Sequence, residues 1–428
     1  MFGKIINTFG TRALAAVINL GIAIALSQYL GPAGKGVQSL IITTITFVLV
    51  FANLVGGATL VYLVPRREPS LLLLPSIVWT LVVSALSFAI LQVFPLVDKT
   101  YSAHICILSA INSFTSITTS ILIGREKIRA ANAVGLVQPA VLILSLFLFF
   151  GNSPSPGVDH YIWSLYFSFI FSAIAGMIYY QRYCGKIRFF GMAEYLKVSL
   201  EMARYGVLNQ VAHVTQMLSF RLSFYVLDRY HGEAAVGIYS NGISIAESIW
   251  LIAKSISLVQ YARISNLNNR EESAKLTVSL MKFSLAASLV LILPVLLLPE
   301  SFYLWVFGEG FGEMRYVIQA LAGGVLVYNF SILAGHYFSG TGRYQVNAIT
   351  STLGLIASII LYYSMIPSLG ITGAGFATSL SYLFTSLILM YLFGREYKTW
   401  YREIIPVKGD LIRLRDGLKE MMNKKPGS

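Results

Sequence analysis

The stretch Tyr29-Leu30-Gly31-Pro32-Ala33-Gly34-Lys35-Gly36-Val37-Gln38-Ser39 has a second copy, Tyr230-His231-Gly232-Glu233-Ala234-Ala235-Val236-Gly237-Ile238-Tyr239-Ser240. At a constant offset of 201 and without a gap, five of the eleven positions are identical, and Val37 meets Ile238. Each copy follows a long apolar block, the first of the chain and the seventh. A second echo lies later in each half. Gly124-Arg125-Glu126-Lys127 with Asn132 resembles Gly340-Thr341-Gly342-Arg343 with Asn347, at offsets of 216 for the Gly and the basic residue and 215 for the Asn. Two echoes in the same order, at equivalent places, read as an internal duplication.

The blocks between these signposts are long enough to cross a hydrocarbon core of ~30 Å at 1.5 Å per residue. Spans are expected at 13–30, 37–64, 71–94, 102–123, 133–151, 161–181, 206–227, 236–260, 276–299, 316–339, 346–366 and 371–393. Gly and Pro punctuate their ends, as at Gly31-Pro32, Pro65, Pro154 to Gly157, Pro299 and Pro367. The sequence is 56% hydrophobic and 12% charged, with a mean hydropathy of +0.69. Soluble domains carry roughly 25% charged residues. The expected class is therefore an all-α integral membrane protein, with about twelve transmembrane helices in two six-helix lobes. Six is even, so both halves start on the same side and run parallel, related by an axis along the membrane normal. The lobes are drawn at 1–197 and 198–394, followed by a basic tail, 395–428.

A net charge of +13 would suggest nucleic acid in a soluble protein. Here the charge sorts by loop. With the N-terminus inside, 26 basic residues fall on the inner side and four outside (Lys35, Lys99, Arg229, Arg315), while Arg221 and Lys254 lie within spans. That is the positive-inside pattern, with both termini cytoplasmic. The outer loops are short, the longest being about Glu300–Arg315, so no extramembrane domain for soluble chemistry is expected. Lys4 and Arg12 ahead of an apolar run resemble a signal peptide. No small-residue cleavage site closes the run, and the repeat needs it as span 1.

No HExxH, CxxC, GxSxG or Walker pattern is present, and Cys106 and Cys184 suggest neither a disulfide nor a metal site. No cofactor is expected. Charges inside spans are costly and mark function or pairing. Arg221 lies about 22 Å up span 7 and Glu247 about 20 Å up span 8. On adjacent antiparallel helices, they can form a buried pair. Alternatively, Arg221 faces a cavity to meet phosphate through its fork of donors. Glu247 is also the one obvious proton carrier. Lys254 can snorkel to headgroups or meet phosphate at the inner mouth. The 201 offset maps Arg12 onto His213, so both are cavity candidates, beside plainer roles as an anchor and an interhelical bond. Asn19, Asn53, Asn209 and Gln216 lie in spans 1, 2 and 7, where amides bond sugar hydroxyls or hold helices together.

Tyr-Leu-Gly-Pro-x-Gly-x-Gly after span 1 resembles the polysaccharide exporter branch of the multidrug/oligosaccharidyl-lipid/polysaccharide (MOP) superfamily. So does the run Arg221-Leu-Ser-Phe, Gly232, Val236-Gly-Ile-Tyr-Ser240 and Glu247-Ser-Ile-Trp250. The nearest resemblance is to O-antigen (Wzx-type) flippases, over nearly the whole chain. The family often has an acidic residue two after the Arg and a Pro in the Trp-Leu-x-Pro stretch; this sequence has Ser223 and Ala253. The resemblance implies two MATE-like lobes in a V, with spans 1, 2, 7 and 8 around a cationic cleft. It implies a bacterial inner-membrane flippase for an undecaprenyl-pyrophosphate-linked oligosaccharide, with a polysaccharide polymerase and chain-length regulator as further partners. A drug/cation antiporter of the same fold would usually bury acids, which span 1 lacks. A membrane O-antigen polymerase would need a long outer loop with clustered catalytic residues.

Overall fold

The computed structural model describes residues 2–403 except 266 and 268, without the side chains of 2–9, 12, 208, 209, 258, 262 and 402. Most of the expected basic tail, from 404 on, lies outside the described residues. Among the described residues the regular structure is helical, with no strand. A lipid-facing backbone must bond within itself, which these long apolar runs do as helices.

Nine helical stretches among the described residues are long and apolar enough to cross a membrane, if Gln210–Ser248 and Trp250–Tyr261, bent by 45°, count as one. Three of the nine contain a break at a glycine with positive φ: Gly31 (64°), Gly232 (78°) and Gly370 (58°). Only glycine takes such angles at little cost. The chain reverses there: Ser358 Oγ lies 2.5 Å from Ser381 Oγ, and Arg221 meets Glu247. Splitting the three gives twelve spans. Spans 1 and 2 are 2–30 and 32–52, with Gly57–Leu63 continuing span 2 after a break. Spans 3 to 6 are Pro69–Val93, Ser102–Gly124, Ile128–Gly151 and Val158–Cys184. Spans 7 and 8 are 192–231 and 233–264, and spans 9 and 10 are Arg270–Leu297 and Met314–Gly340. Spans 11 and 12 are 344–369 and 371–396. We call the side of the Gly31 and Gly232 turns the far face and the opposite side the basic face.

Spans 3–6 pack on one another and on spans 1 and 2, while spans 9–12 pack on one another and on 7 and 8. The halves meet mainly through spans 1 and 2 against 7 and 8. Many buried hydroxyls bond within their own helices: Thr44 Oγ1 donates to Leu40 O at 2.8 Å and Ser358 Oγ to Gly354 O at 2.8 Å. Such back-bonding lets polar residues pack between spans.

Three details differ from the sequence reading. Span 2 breaks at 53–56 instead of running evenly to 64. Span 7 begins at Met192, so the 197/198 lobe boundary falls inside a helix whose Val198 and Met202 pack with Leu60, Leu63 and Tyr180 of the first half. Lys35, expected in an outer loop, is in the first turn of span 2 and only 7% exposed.

Candidate functional site

Ser39 Oγ donates to Ser240 Oγ at 2.8 Å. These are repeat mates, so the pseudo-two-fold axis passes between them, at the far face. Around it Gly36 lies directly on the carbonyl of Glu233, and Gly237 lies on the carbonyl of Pro32, its reciprocal. Spans 2 and 7 stay together from there toward the basic face. Thr44 Oγ1 is 2.8 Å from Tyr225 OH, Gln210 Nε2 donates to Val50 O at 2.6 Å, and Gly206 lies on the Leu54 carbonyl. Spans 1 and 8 behave differently. Asn241 Nδ2 donates to Ser27 Oγ at 2.6 Å near the far face. Beyond that, Trp250–Ile264 packs on spans 9 and 10 rather than on span 1. The corresponding part of span 1 is open, with Leu14, Val17, Asn19 and Leu20 exposed. The cleft is thus closed at the far face and parted between spans 1 and 8 toward the basic face.

A cavity of about 890 Å³ lies in the second half, lined from spans 7, 8, 10, 11 and 12. Its cationic and polar lining includes His213, Gln216, Lys254, His336, Arg343 and Asn347, and no Asp or Glu lines it. Lys254 sits about 15 Å up span 8 from Ile264, with its Nζ 5.4 Å from the centre of the Trp250 ring. Among the described residues no carboxylate pairs with Lys254. Arg343, at the mouth, is paired with Glu396. His336 Nδ1 bonds Ile332 O at 2.8 Å.

The cavity ends on the rings of Phe220, Trp250 and Tyr328, which pack with Tyr382 into one aromatic layer. Phe220, Trp250, Tyr328 and Tyr382 touch in all six pairings, with centroids 4.8 to 5.8 Å apart. Such tilted contacts suit ring quadrupoles. Trp250 Nε1 donates to Val325 O at 2.9 Å and Gln216 Nε2 to Tyr328 OH at 2.9 Å. Behind this layer Arg221 grips Glu247 through both guanidinium nitrogens, at 2.8 and 3.3 Å, and Tyr382 OH donates to Glu247 at 2.6 Å. The bidentate pair plus a hydroxyl satisfies the carboxylate on both oxygens.

The comparisons with known proteins come down on the same architecture. The lipid II flippase MurJ, in an inward closed conformation, overlays with a TM-score of 0.73 at 15% identity, over 98% of this chain and 93% of that one. The chain has the fold of the MOP-superfamily transporters. An inward-facing multidrug resistance MATE family transporter of that superfamily gives 0.71 at 14% identity, over 91% and 96% of the two chains. An outward-facing one gives 0.62 at 13%, over 92% and 95%. In sequence, the chain is 28% identical to the capsular polysaccharide biosynthesis protein CapF of Staphylococcus aureus over 174 residues, 40% of this chain and 44% of that protein. It is 22% identical to the probable low-salt glycan biosynthesis flippase Agl15 of Haloferax volcanii, over 36% and 34%. The chain thus spans less than half the length of either relative. No protein-family model matches. These relatives and neighbours are transporters, flippases and a polysaccharide biosynthesis protein by name, not enzymes.

Within the MOP fold the candidate residues separate. His213, Gln216 and Lys254 line the cavity. Arg221 and Glu247 are paired with each other behind the aromatic layer rather than facing it. Asn53 is at the break in span 2, where its Oδ1 accepts from Ser116 Oγ at 3.0 Å and braces span 4. Asn19 is exposed on the open part of span 1. The side chains of Arg12 and Asn209 lie outside the described ones. Among the described residues no cluster of His, Cys, Asp or Glu is arranged for a metal. Nothing in the sequence marks residues of spans 10 to 12, His336, Arg343 and Asn347 among them, as lining a cavity, and little marks the four aromatic residues as a layer. One signal for the layer was there: Glu247, Trp250 and Lys254 are spaced i, i+3, i+7, one helix face.

Proposed function

We propose that this protein flips an undecaprenyl-pyrophosphate-linked oligosaccharide, an O-antigen unit or similar repeat, from the cytoplasmic to the periplasmic leaflet of the bacterial inner membrane by alternating access. The observation that carries the reading is the cavity: cationic, free of carboxylates, and on the side of the molecule where spans 1 and 8 part. Phosphates and hydroxyls lose their hydration in lipid with nothing in return. Lys254, His213 and His336 replace it for an anionic group, and the amides Gln216 and Asn347 do so for sugar hydroxyls. The polyprenyl tail stays in lipid by leaving through the gap between spans 1 and 8. The basic face is cytoplasmic on this reading, by the distribution of Lys and Arg. A polymerase and a chain-length regulator then act on the delivered unit outside. The relatives named for capsular polysaccharide and glycan biosynthesis support the cargo class.

The test is a gene deletion. Surface polysaccharide should be lost while the lipid-linked repeat unit is still made and accumulates on the cytoplasmic leaflet. Single repeat units displayed outside would instead indicate a polymerase. Altered drug sensitivity with normal surface sugar would indicate an antiporter, a reading that the carboxylate-free cavity disfavours.

A further inference from the structure

We infer that the far-face knot around Ser39 and Ser240 is the outer gate of the cleft, and that two glycine seats on opposing carbonyls are what must part for it to open. The inference rests on the alternating-access reading above and names the device that performs one half of it.

The knot consists of contacts of two kinds. Those that cross between halves are the Gly36 and Gly237 seats, Ser39 to Ser240, Asn241 to Ser27 and Gln28 Nε2 to Val306 O at 2.9 Å. Those that stay within the first half are Lys35 Nζ to Gln38 Oε1, and Gln38 Nε2 to Tyr161 OH at 3.0 Å. Lys35 is buried, and among the described residues it has no carboxylate partner. Its bonds run to its own helix and on to span 6, so it fastens the turn to its own lobe. An opening motion therefore breaks five cross-half contacts and keeps the Lys35 chain intact.

The cross-half contacts suit separation. At each seat, flat backbone lies on flat backbone, with no side chain threaded between the halves. A Cβ at Gly36 would overlap the Glu233 carbonyl, and one at Gly237 the Pro32 carbonyl. The two seats are repeat mates on either side of the Ser39–Ser240 contact, so parting the halves at the far face loses both seats and that contact together. Any side chain at either glycine prevents reseating without touching the cavity, about 890 Å³ of space on other spans.

Two arms test this in a background with Cys106→Ser and Cys184→Ser. First, the Ser39→Cys, Ser240→Cys double variant is oxidised in membranes. A 2.8 Å hydroxyl separation allows a disulfide, which should reduce transport to background, with recovery on reduction. A disulfide that forms and leaves transport unchanged overturns the gate. Second, Asn241→Cys is labelled from outside with a membrane-impermeant maleimide, alone and with Gly36→Ala or Gly237→Ala. Labelling should rise at least several-fold with either alanine. Equal labelling in protein of normal abundance overturns the seats; if the alanine variants fail to fold, the disulfide arm decides. Labelling and the formation of the cross-link need no cargo; only the transport readout of the disulfide arm does. A gate that behaves as stated in a strain with normal surface polysaccharide would sink the cargo assignment and leave the gate standing.

Discussion

Arg221 and Glu247 illustrate what residue-level reasoning reaches. Counting 1.5 Å per residue placed them at one depth on adjacent helices, and in the structure they are paired. The same counting said nothing of Tyr382, because it arrives from span 12. Arg221→Ala leaves the Glu247 carboxylate in a mostly buried site with one hydroxyl. Breaking a buried pair costs roughly 3–5 kcal/mol, so we expect a large loss of folded protein by size-exclusion of a fluorescent fusion. Arg221→Glu with Glu247→Arg should restore much of it; an abundant, transport-dead Arg221→Ala would mean that the charge serves cargo instead. Lys254 is the converse case, exposed to the cavity over Trp250. Lys254→Ala should leave abundance unchanged and weaken transport by up to about tenfold, since a charge-assisted contact is worth ~1.5–3 kcal/mol and several groups share the load. Lys254→Arg should retain most activity. Lys35 was misread for a physical reason. Gly31-Pro32 signals a loop, but proline also suits the first turn of a helix, and span 2 resumes at once.

At the scale of elements, helix ends were more legible than helix breaks. Gly31 and Gly232 announce themselves because the motif repeats. The break at 53–56 does not, since apolar residues continue through it. Length gives the only hint: 28 residues from 37 to 64 make a helix of about 42 Å, longer than a ~30 Å core. The aromatic layer was illegible for another reason. Its four rings come from spans 7, 8, 10 and 12, and apart from the spacing of Trp250 with Glu247 and Lys254 nothing local distinguishes them from lipid-facing aromatics. We expect the layer to be a stability element. Trp250→Ala should lower stability by about 3–5 kcal/mol, in line with other buried aromatic truncations, read as a drop in thermal unfolding temperature in detergent. Trp250→Phe should cost much less, losing chiefly the bond to Val325 O. Equal effects of the two would mean that the hydrogen bond, not the ring, matters.

The duplication is what let the sequence speak for the whole molecule, since an offset of 201 became a physical axis between Ser39 and Ser240. What it concealed is the departure from symmetry, with spans 2 and 7 joined and spans 1 and 8 parted. That departure, together with loop charge, gives a topology test. Reporters at Arg67, Arg129, Lys186 and Lys398 should read cytoplasm and those at Lys99, Asp159 and Gly310 the outside; a consistent reversal after any span would break the parallel repeat.

The same asymmetric state predicts a pH response at the outer turn. Glu233, the exposed residue just after the Gly232 turn and ahead of the apolar part of span 8, has its carboxyl pushed above the usual range by partial burial, then by Asp228 and by Asp98 of the other half. Asp98 is held low by the Thr100 N–H and hydroxyl, so it stays charged. Opening the far face moves Glu233 away from Asp98 of the other half, which lowers its proton affinity. The closed state therefore binds more protons, and by linkage acid favours closure. The effect falls above the ordinary glutamate value of about 4.3 and fades toward neutrality. Labelling of Asn241→Cys from outside should be slower at pH 5.5 than at pH 7.5, relative to an exposed Ser155→Cys control that corrects for maleimide chemistry. Glu233→Gln should remove the difference by staying in the slow regime at both values. An unchanged ratio in that variant would place the pH sensor elsewhere in the molecule.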